Sequence, residues 1–389
     1  MADRSYDIVV FGATGFTGAL TAEYLARHAP AETRWALAGR NMDKLEQVRG
    51  RLGAGASEVP LLRADVTDAG SLREVAEGSR VVITTVGPYI RYGEPLVAAC
   101  AAAGTDYVDL TGEPEFVDRM WLGYHEQAVA SGARIVHSCG FDSIPYDLGV
   151  QFTVEQLPEN APIAVEGFMR VNASISGGTY QSAIEIVSGL RSSAKLGRER
   201  RAREGDPDGR RVKGVSGKPH SDEFAGGWVV PFPTIDPQTV LRSARALDRY
   251  GPDFSYSHYA VVGPLPMMVG IGAAAGVAVG LAQIKPTRDL LLKLMSSGEG
   301  PSEEKRAKSW FRVRFEANAA GHRVRTQVSG GDPGYTETSK MLAESALCLA
   351  FDELPSRSGQ ITPAVAMGDA LRRRLVAAGI KFEVLDGVG

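Results

Sequence analysis

The chain has few cysteines and no strong excess of charge, and both shortages narrow the kinds of protein it can be. Its 389 residues include 3 cysteines, and Cys100, Cys139 and Cys348 show neither disulfide spacing nor paired metal-ligand spacing. The formal net charge is -3, which gives the whole chain no attraction to nucleic acid. The first residues lack the basic and then apolar pattern of a secretory signal, so we expect a cytoplasmic protein.

Metal ligands and a nucleophile motif are also lacking. The 6 histidines are scattered, and no His, Cys and Asp residues cluster with the spacing of a metal site. The sequence has no G-x-S-x-G motif for a serine nucleophile. We therefore expect no metal, and we expect a bound organic cofactor to supply the difficult chemistry. The length favours two domains.

The stretch YDIVVFGATGFTGALTAEYL, residues 6–25, predicts a strand, a glycine turn and a helix. In such a turn Gly12 permits the tight bend, Gly15 lets the backbone approach a pyrophosphate, and Gly18 lets the helix pack close to the strand. The amides at the start of the helix then face the anion. The cofactor-binding residues predicted in this turn are Gly12, Thr14, Gly15, Phe16, Thr17 and Gly18.

Further strands and helices continue this pattern over residues 1–149 and predict a Rossmann-type, doubly wound parallel sheet. Arg40 follows the second strand in the place where an acid would bind the ribose hydroxyls, which favours NADP over NAD. Asp65 and Val66 end the third strand, where the adenine is expected. Gly87 and Pro88 end the fourth strand, at the edge where ligands of such sheets bind.

Several motifs give the chain a resemblance to a known family. GATGFTG, VGPYIRYGEPLVAAC, YVDLTGE and CGFDSIPYDLG resemble the saccharopine dehydrogenase-like oxidoreductases, and GEGPSEEKR and SGGDPGYTETSKMLAESALCLA extend the resemblance over nearly the whole chain. The chain is most similar to the branch of trans-acting enoyl reductases in mycobacteria and their relatives. This resemblance implies reduction of a carbon–carbon double bond in a polyketide-derived lipid. The same family holds lysine-pathway enzymes and lipid-droplet-associated members.

Strands and helices no longer alternate regularly in residues 150–335, which predict a second, α+β domain with an antiparallel or mixed sheet. This domain contains a second glycine turn before a helix. The candidate substrate-binding residues in that turn are Ser176, Gly177, Gly178 and Thr179. Helix capping is the alternative role for the turn. Residues 336–389 predict a C-terminal helical segment, and in the resembled fold such a helix packs back on the first domain.

Two segments of the second domain stand out by composition. Residues 191–218 carry ten Lys or Arg residues against four Asp or Glu residues. We expect a helix end and a basic, solvated loop, with an anion-docking surface for CoA, an acyl-carrier protein, a polyketide synthase or an acidic membrane as the alternative. Residues 260–282 are uncharged and long enough to cross a bilayer, but their Gly, Ala and Pro content favours a buried helix, a hydrophobic wall for a lipid or peripheral membrane contact. The sequence is also compatible with a homodimer.

Reduction of an enoyl group needs donors for the charge that builds on the carbonyl oxygen and an acid that protonates the α-carbon. The candidate proton donors are the hydroxyl and thiol groups of Tyr89, Cys139, Ser143 and Tyr180, which lie at predicted strand ends or glycine turns. The alternative role for Tyr89 is that of a packing aromatic, and for Cys139 that of a small buried residue.

Three functions follow from this sequence. The first is an NADPH-dependent enoyl reductase acting on a small or carrier-bound lipid or polyketide chain. The second is a reductase of a C=N bond in an amino-acid-like substrate, against which the apolar stretch 260–282 argues. The third is a non-catalytic dinucleotide-binding protein on a lipid surface.

Overall fold

A computed structural model of the chain divides into two compact units. It describes residues 4–173, 190–207, 209–232, 234–263, 287 and 300–388. The first unit holds the described residues up to Asp142, then Gly300 and Gly334–Ala378. The second unit holds the remaining described residues, including the end of the chain from Gly379. Each unit is therefore assembled from separate stretches of sequence.

The first unit is built on a seven-stranded parallel sheet. Its strands are β1 (Tyr6–Phe11), β2 (Trp35–Gly39), β3 (Leu61–Arg63), β4 (Ser79–Thr84), β5 (Asp106–Val108), β6 (Arg134–Val136) and β14 (Gly359–Ile361). They lie side by side in the order β14-β6-β5-β4-β1-β2-β3. The order reverses at β1, as in a doubly wound sheet, so the predicted fold class of this unit is confirmed.

Helices cover both faces of this sheet. They are α1 (Phe16–His28), α2 (Met42–Arg49), α3 (Ala69–Gly78), α4 (Tyr89–Tyr92), α5 (Glu94–Ala103), α6 (Pro114–Ser131), α11 (Thr336–Phe351), α12 (Pro363–Ala366) and α13 (Gly368–Ala377). On one face α3, α5 and α6 share a hydrophobic cluster with Val9 and Phe11 of β1. Because side chains alternate along a strand, Ile8 and Val10 point to the other face, where α1 and α11 pack together.

The second unit is built on an eight-stranded mixed sheet, which confirms the predicted mixed or antiparallel sheet. Its strands are β7 (Ile163–Asn172), β8 (Arg211–Gly214), β9 (His220–Asp222), β10 (Gly227–Pro231), β11 (Asp253–Gly263), β12 (Trp310–Ala319), β13 (His322–Gly330) and β15 (Lys381–Val388). The main path runs β15-β13-β12-β7-β11-β10-β9, and β8 pairs with β11. Among the described strands of this second sheet, only two pairs are parallel, β7 with β11 and β8 with β11.

One helix packs centrally on the second sheet. The helices of this unit are α7 (Ile144–Glu155), α8 (Leu190–Glu204), α9 (Asp236–Ala246) and α10 (Glu303–Ala307). Gly149 of α7 faces Phe315 of β12 so closely that a Cβ atom there would lie 2.5 Å from the ring. The hydroxyls of Thr153 and Thr326 are 2.6 Å apart, which joins α7 to β13 as well.

Two segments differ in part from the sequence-based expectations. The basic segment 191–218 begins with a helix end, as expected, since α8 runs to Glu204, but the expected loop contains the strand β8 at Arg211–Gly214. Its arginines are partly neutralised within the unit, as Arg200 lies 2.6 Å from Glu204. The end of the C-terminal segment is β15, a strand of the second sheet, rather than a helix.

The apolar stretch 260–282 is described only at its start, where residues 260–263 finish β11, and the remainder lies outside the described residues. Within the described part of the chain, every helix falls short of the length and apolar character needed to cross a membrane.

Candidate cofactor-binding site

The glycine turn after β1 has the geometry that a dinucleotide site requires. Gly12 has φ of 89°, a conformation that favours glycine, and its Cβ atom would lie 2.7 Å from Val86 Cγ2. A Cβ atom on Gly18 would lie 2.3 Å from the carbonyl oxygen of Gly12, so α1 approaches the turn as closely as the missing side chain allows. The turn is therefore formed by closely packed main chain at the carboxyl end of β1.

No side chain of the described residues caps the start of α1, so its amides are open to an anion. Its N-cap residue is Gly15, no side chain caps the helix, and no acidic residue occupies its first turn. Thr14 and Gly15 are exposed. Helix N-terminal amides carry partial positive charge, so this terminus suits a pyrophosphate.

Two neighbouring features hold the turn in place. The Thr85 hydroxyl donates to the Gly12 carbonyl at 3.1 Å, and the Thr85 amide donates to the Phe11 carbonyl at 3.1 Å. The Phe16 ring packs edge-on against Tyr335 with centroids 4.8 Å apart. A Cβ atom on Gly300 would lie 2.3 Å from that Phe16 ring. The late motifs GEGPSEEKR and SGGDPGYTETS thus contribute residues beside the first glycine turn.

The ends of β2 and β3 bring Arg40 and Asp65 to the same edge of the sheet. Arg40 is exposed directly after β2, and Asn41 caps α2 by accepting from the Lys44 amide at 2.9 Å. The Asp65 carboxylate accepts from the Thr67 amide at 2.9 Å, and this bond, with a smaller contribution from the Arg40 charge, lowers the pKa of Asp65. Val66 packs against the hydrophobic cluster of the unit.

Gly87 and Pro88 follow β4 at that same edge, where they precede the short helix α4. The Glu113 carboxylate caps α4 by accepting from the Tyr89 amide at 3.0 Å and from the Ile90 amide at 2.7 Å. Glu113 is 3% exposed, so its bonds to these amides are shielded from water. The residues predicted to bind the cofactor therefore follow β1, β2, β3 and β4, at the carboxyl ends of these strands.

Tyr89 itself is a buried, hydrogen-bonded residue. Its hydroxyl donates to the Thr84 carbonyl at 3.1 Å and accepts from the Leu110 amide at 3.2 Å. Burial raises the pKa of Tyr89 well above its usual range. Its proton is therefore held within the fold, and this argues against Tyr89 as the acid for a substrate.

Cys139 and Ser143 are also fully buried. The Cys139 thiol lies 3.5 Å from the Val136 carbonyl, in the first unit. The Ser143 hydroxyl lies 3.0 Å from the Thr239 hydroxyl, in the second unit. Ser143 has φ of 95°, a strained conformation for a residue with a side chain, and it begins the second unit just before α7. Both residues therefore have structural partners that the sequence did not reveal.

The remaining predicted site residues lie outside the described residues. They are Tyr180, Ser176, Gly177, Gly178 and Thr179. No group of three or more potential metal ligands occurs within the described residues.

Sequence reasoning missed a buried polar network at the ends of β5 and β6. The Asp109 carboxylate lies 2.6 Å from His137 Nδ1 and accepts from the Tyr107 hydroxyl at 2.9 Å and from the Ser138 amide at 2.9 Å. His137 Nε2 is buried and has no hydrogen-bond partner among the described residues. The acids of YVDLTGE were the available signal, since Asp109 directly follows β5 and Glu113 directly precedes α6.

Comparison with known proteins agrees with this geometry. The profile of the saccharopine dehydrogenase NADP-binding domain matches residues 8–136. The chain is 41% identical to a Mycobacterium tuberculosis protein provisionally named trans-acting enoyl reductase, over 98% of this chain and 97% of that protein. It is 37% identical to the trans-acting enoyl reductase of Mycobacterium ulcerans, over 97% of both chains.

The fold is similar to that of a solved enzyme with little sequence identity. Saccharopine dehydrogenase (L-Glu forming) from Saccharomyces cerevisiae superposes with a TM-score of 0.57 and 11% identity, over 98% of this chain and 100% of that one. At this identity the likeness establishes the fold alone.

Proposed function

Since the chain belongs to the saccharopine dehydrogenase-like family of NAD(P)-dependent oxidoreductases, we propose that it reduces a carbon–carbon double bond of an acyl thioester with NADPH. The observation that carries the proposal is its full-length similarity to proteins named trans-acting enoyl reductase. The proposed substrate is a lipid or polyketide-derived acyl chain, presented on coenzyme A or on an acyl-carrier protein. The open glycine turn supports the cofactor part of the proposal.

In this proposal the first unit holds the cofactor by main chain more than by side chains. The amides that begin α1 would bind the pyrophosphate, and the absent side chain of Gly15 would give it room, while Gly12 and Gly18 let the turn and the helix pack closely. Arg40 binds the 2′-phosphate and so selects NADPH. When bound, NADPH would supply the hydride, which protein side chains cannot donate.

The protein must also supply a proton and stabilise the negative charge on the substrate carbonyl oxygen. Of the four candidate acids, Tyr89, Cys139 and Ser143 are buried in the fold. Tyr180 stays the proposed proton donor, and the proposed donors to the carbonyl oxygen are those of the turn at residues 176–179. Tyr180→Phe should lower kcat by roughly 10² to 10⁴ while leaving NADPH affinity unchanged, since the ring stays and the acid is lost.

The direct test is oxidation of NADPH by enoyl thioesters of increasing chain length, followed by the loss of NADPH absorbance. We expect turnover with at least one chain length and a saturated thioester as the product by mass spectrometry. A parallel reductive amination assay with keto acids and amines measures the C=N alternative. The proposal would be contradicted if NADPH were oxidised only in the reductive amination assay, or if it were oxidised in neither assay.

A further inference from the structure

The second sheet presents one apolar and one polar face, and arginines and carboxylates are distributed unevenly over the polar face. Along β12 the residues Phe311, Val313 and Phe315 are buried on the face that carries α7. The intervening Arg312 and Arg314 lie half-buried on the opposite face. The pairing of the strands arranges the side chains of this polar face in rows that run across the sheet.

One of these rows is entirely without acid. Arg170 of β7 is paired directly with Arg312 of β12, which is paired with Ser329 of β13, which is paired with Lys381 of β15. We call Arg170, Arg312, Ser329 and Lys381 the basic row. Three of its four members are cations, and the fourth offers a hydroxyl.

Other arginines of this face have partners within the unit, as Arg314 donates to the Gln327 side chain at 3.2 Å and to the Phe224 carbonyl at 2.5 Å. Two rows away, Arg325 lies 2.6 Å from Glu316 and 3.5 Å from Asp386. In contrast, neither Arg170 nor Arg312 has a carboxylate within ion-pair distance in the described part of the chain. Like charges placed directly opposite each other on a sheet repel, so this pair is a site where an anion would relieve an unfavourable interaction.

The surroundings of the pair hold the two guanidinium groups in place. Burial, together with the charges of Arg314 and Arg170, lowers the pKa of Arg312. The Arg312 guanidinium lies 5.7 Å from the centroid of the Trp310 ring. Arg170 Nη1 lies beside the turn between β9 and β10, where a Cβ atom on Gly226 would be 3.8 Å away. Two planar guanidinium forks beside a hydroxyl and an amine match the oxygen atoms of a phosphate ester.

We infer that the basic row binds the phosphate of the 4′-phosphopantetheine arm that carries the acyl substrate. The choice of this phosphate rests on the proposed function, because an acyl thioester on coenzyme A or on a carrier protein brings that group with it. A phosphate binds both arginines at once, which a neutral thioester cannot do. The row thus recognises the carrier of the acyl chain rather than the chain.

Binding to the full chain tests the site without any turnover. The probes are 4′-phosphopantetheine and pantetheine, which differ only in the phosphate, measured by isothermal titration calorimetry. We expect the phosphate to increase affinity roughly tenfold or more, and Arg170→Ala/Arg312→Ala to remove that advantage. Arg323→Ala, on the same face at the other end of the strands, should leave the advantage intact.

Kinetics distinguish the source of the phosphate. Crotonyl-CoA, a crotonylated acyl-carrier protein and the phosphate-free crotonyl-pantetheine are compared as substrates for the wild type and the double variant. A KM that rises at least about tenfold for crotonyl-CoA, the carrier substrate or both, with crotonyl-pantetheine unchanged, supports the site and names its source. An equal rise for all three substrates, or no rise for any of them, overturns it.

The two proposals fail in different ways. If no enoyl thioester is reduced but the phosphate-dependent binding is lost in the double variant, the proposed function fails and the site stands. If turnover occurs and the double variant keeps the phosphate advantage, the site fails alone. Arg170→Lys/Arg312→Lys keeps both charges and should retain part of the advantage, and an unchanged unfolding midpoint of each variant excludes misfolding as the cause.

Discussion

The two proposed anion sites, at the glycine turn after β1 and in the basic row of the second sheet, are built in opposite ways. At the glycine turn the binding groups are main-chain amides, and side chains are excluded because a Cβ atom on Gly18 would lie 2.3 Å from a carbonyl oxygen. In the basic row the binding groups are side chains that four separate strands place next to each other. At Gly18 the first site has no room for a side chain, whereas the second site can lose one side chain at a time.

This difference predicts how each region responds to substitution. A main-chain site depends on backbone position, so a methyl group added where backbone atoms already meet, as at Gly18, disturbs both the fold and the site. A side-chain site on a regular sheet keeps its scaffold when one side chain is removed, and binding falls by that side chain's share. The following predictions test this comparison, beginning with the largest expected effect.

Gly18→Ala should have the largest effect. The new Cβ atom meets backbone atoms of Gly12 and Ala13, which cannot move aside as a flexible side chain can. We expect the free energy of unfolding to fall by about 3 kcal/mol and NADPH affinity to fall about a hundredfold. Chemical denaturation and calorimetric titration measure the two effects.

Gly15→Ala is the matched control for that change. Gly15 has φ of -77°, which any residue adopts, and its Cβ atom would lie 3.4 Å from the Gly12 carbonyl oxygen. We expect wild-type stability within about 0.5 kcal/mol. NADPH affinity should still fall, because the methyl group occupies the approach of the pyrophosphate. Equal stability losses at Gly15 and Gly18 would refute the close-packing argument.

Glu113→Ala should have the next largest effect, because this buried carboxylate accepts hydrogen bonds from main-chain amides at the carboxyl edge of the first sheet. It accepts from the amides of Tyr89 and Ile90, and its loss leaves two amides without that acceptor. We expect a loss of about 3 kcal/mol in the free energy of unfolding. Glu113→Gln retains one acceptor oxygen and should cost roughly half as much, and thermal melts of the two variants give the comparison.

Arg40→Ala should change cofactor choice more than stability. We expect the Kd for NADPH to rise roughly tenfold to a hundredfold, since a charge-assisted bond to the 2′-phosphate is lost, while the Kd for NADH stays the same. Arg27→Ala, on the exposed side of α1, is the control for lost surface charge. Equal weakening for both cofactors would show that Arg40 does not contact the 2′-phosphate.

The smallest expected effects compare two arginines of the second sheet. Arg325→Ala removes a guanidinium that lies 2.6 Å from Glu316, and we expect a loss of about 0.5 to 1 kcal/mol of stability. Arg312→Ala removes a cation that faces Arg170, so stability should stay constant or rise by about 0.3 kcal/mol. Urea denaturation of the pair checks the sign. A clear loss for Arg312→Ala would show that this charge has a favourable partner in the protein alone.

The parts of the site that the sequence predicted are those formed by residues close together in the chain. The glycine spacing of residues 6–25 predicted a strand, a turn and a helix, and the structure has β1, the turn and α1 there. The roles of Tyr89 and Ser143 could not be found in this way. Their hydroxyls contact Thr84 and Leu110 in one case and Thr239 in the other, and the partner of Ser143 is 96 residues away in the chain.

The chain order also concealed how the two units are assembled. β14 joins the first sheet beside β6, although more than 200 residues separate the two strands, and β15 joins the second sheet beside β13. β14 has only three residues, and β15 mixes apolar and charged residues without strict alternation, so their local pattern carries little information. Their place is decided by the free edge of a sheet that exists only after folding.

The sequence by itself determined the βα turn, its anion-facing amides and the arginine that follows β2, because these depend on neighbouring residues and on the steric freedom of glycine. Only the tertiary structure decided which hydroxyls are buried, which acids cap α4 and the strand ends, and which four residues share the basic row. The physical reason is that strand register and helix docking bring together residues far apart in the chain. The burial and charge of a side chain depend on those distant neighbours.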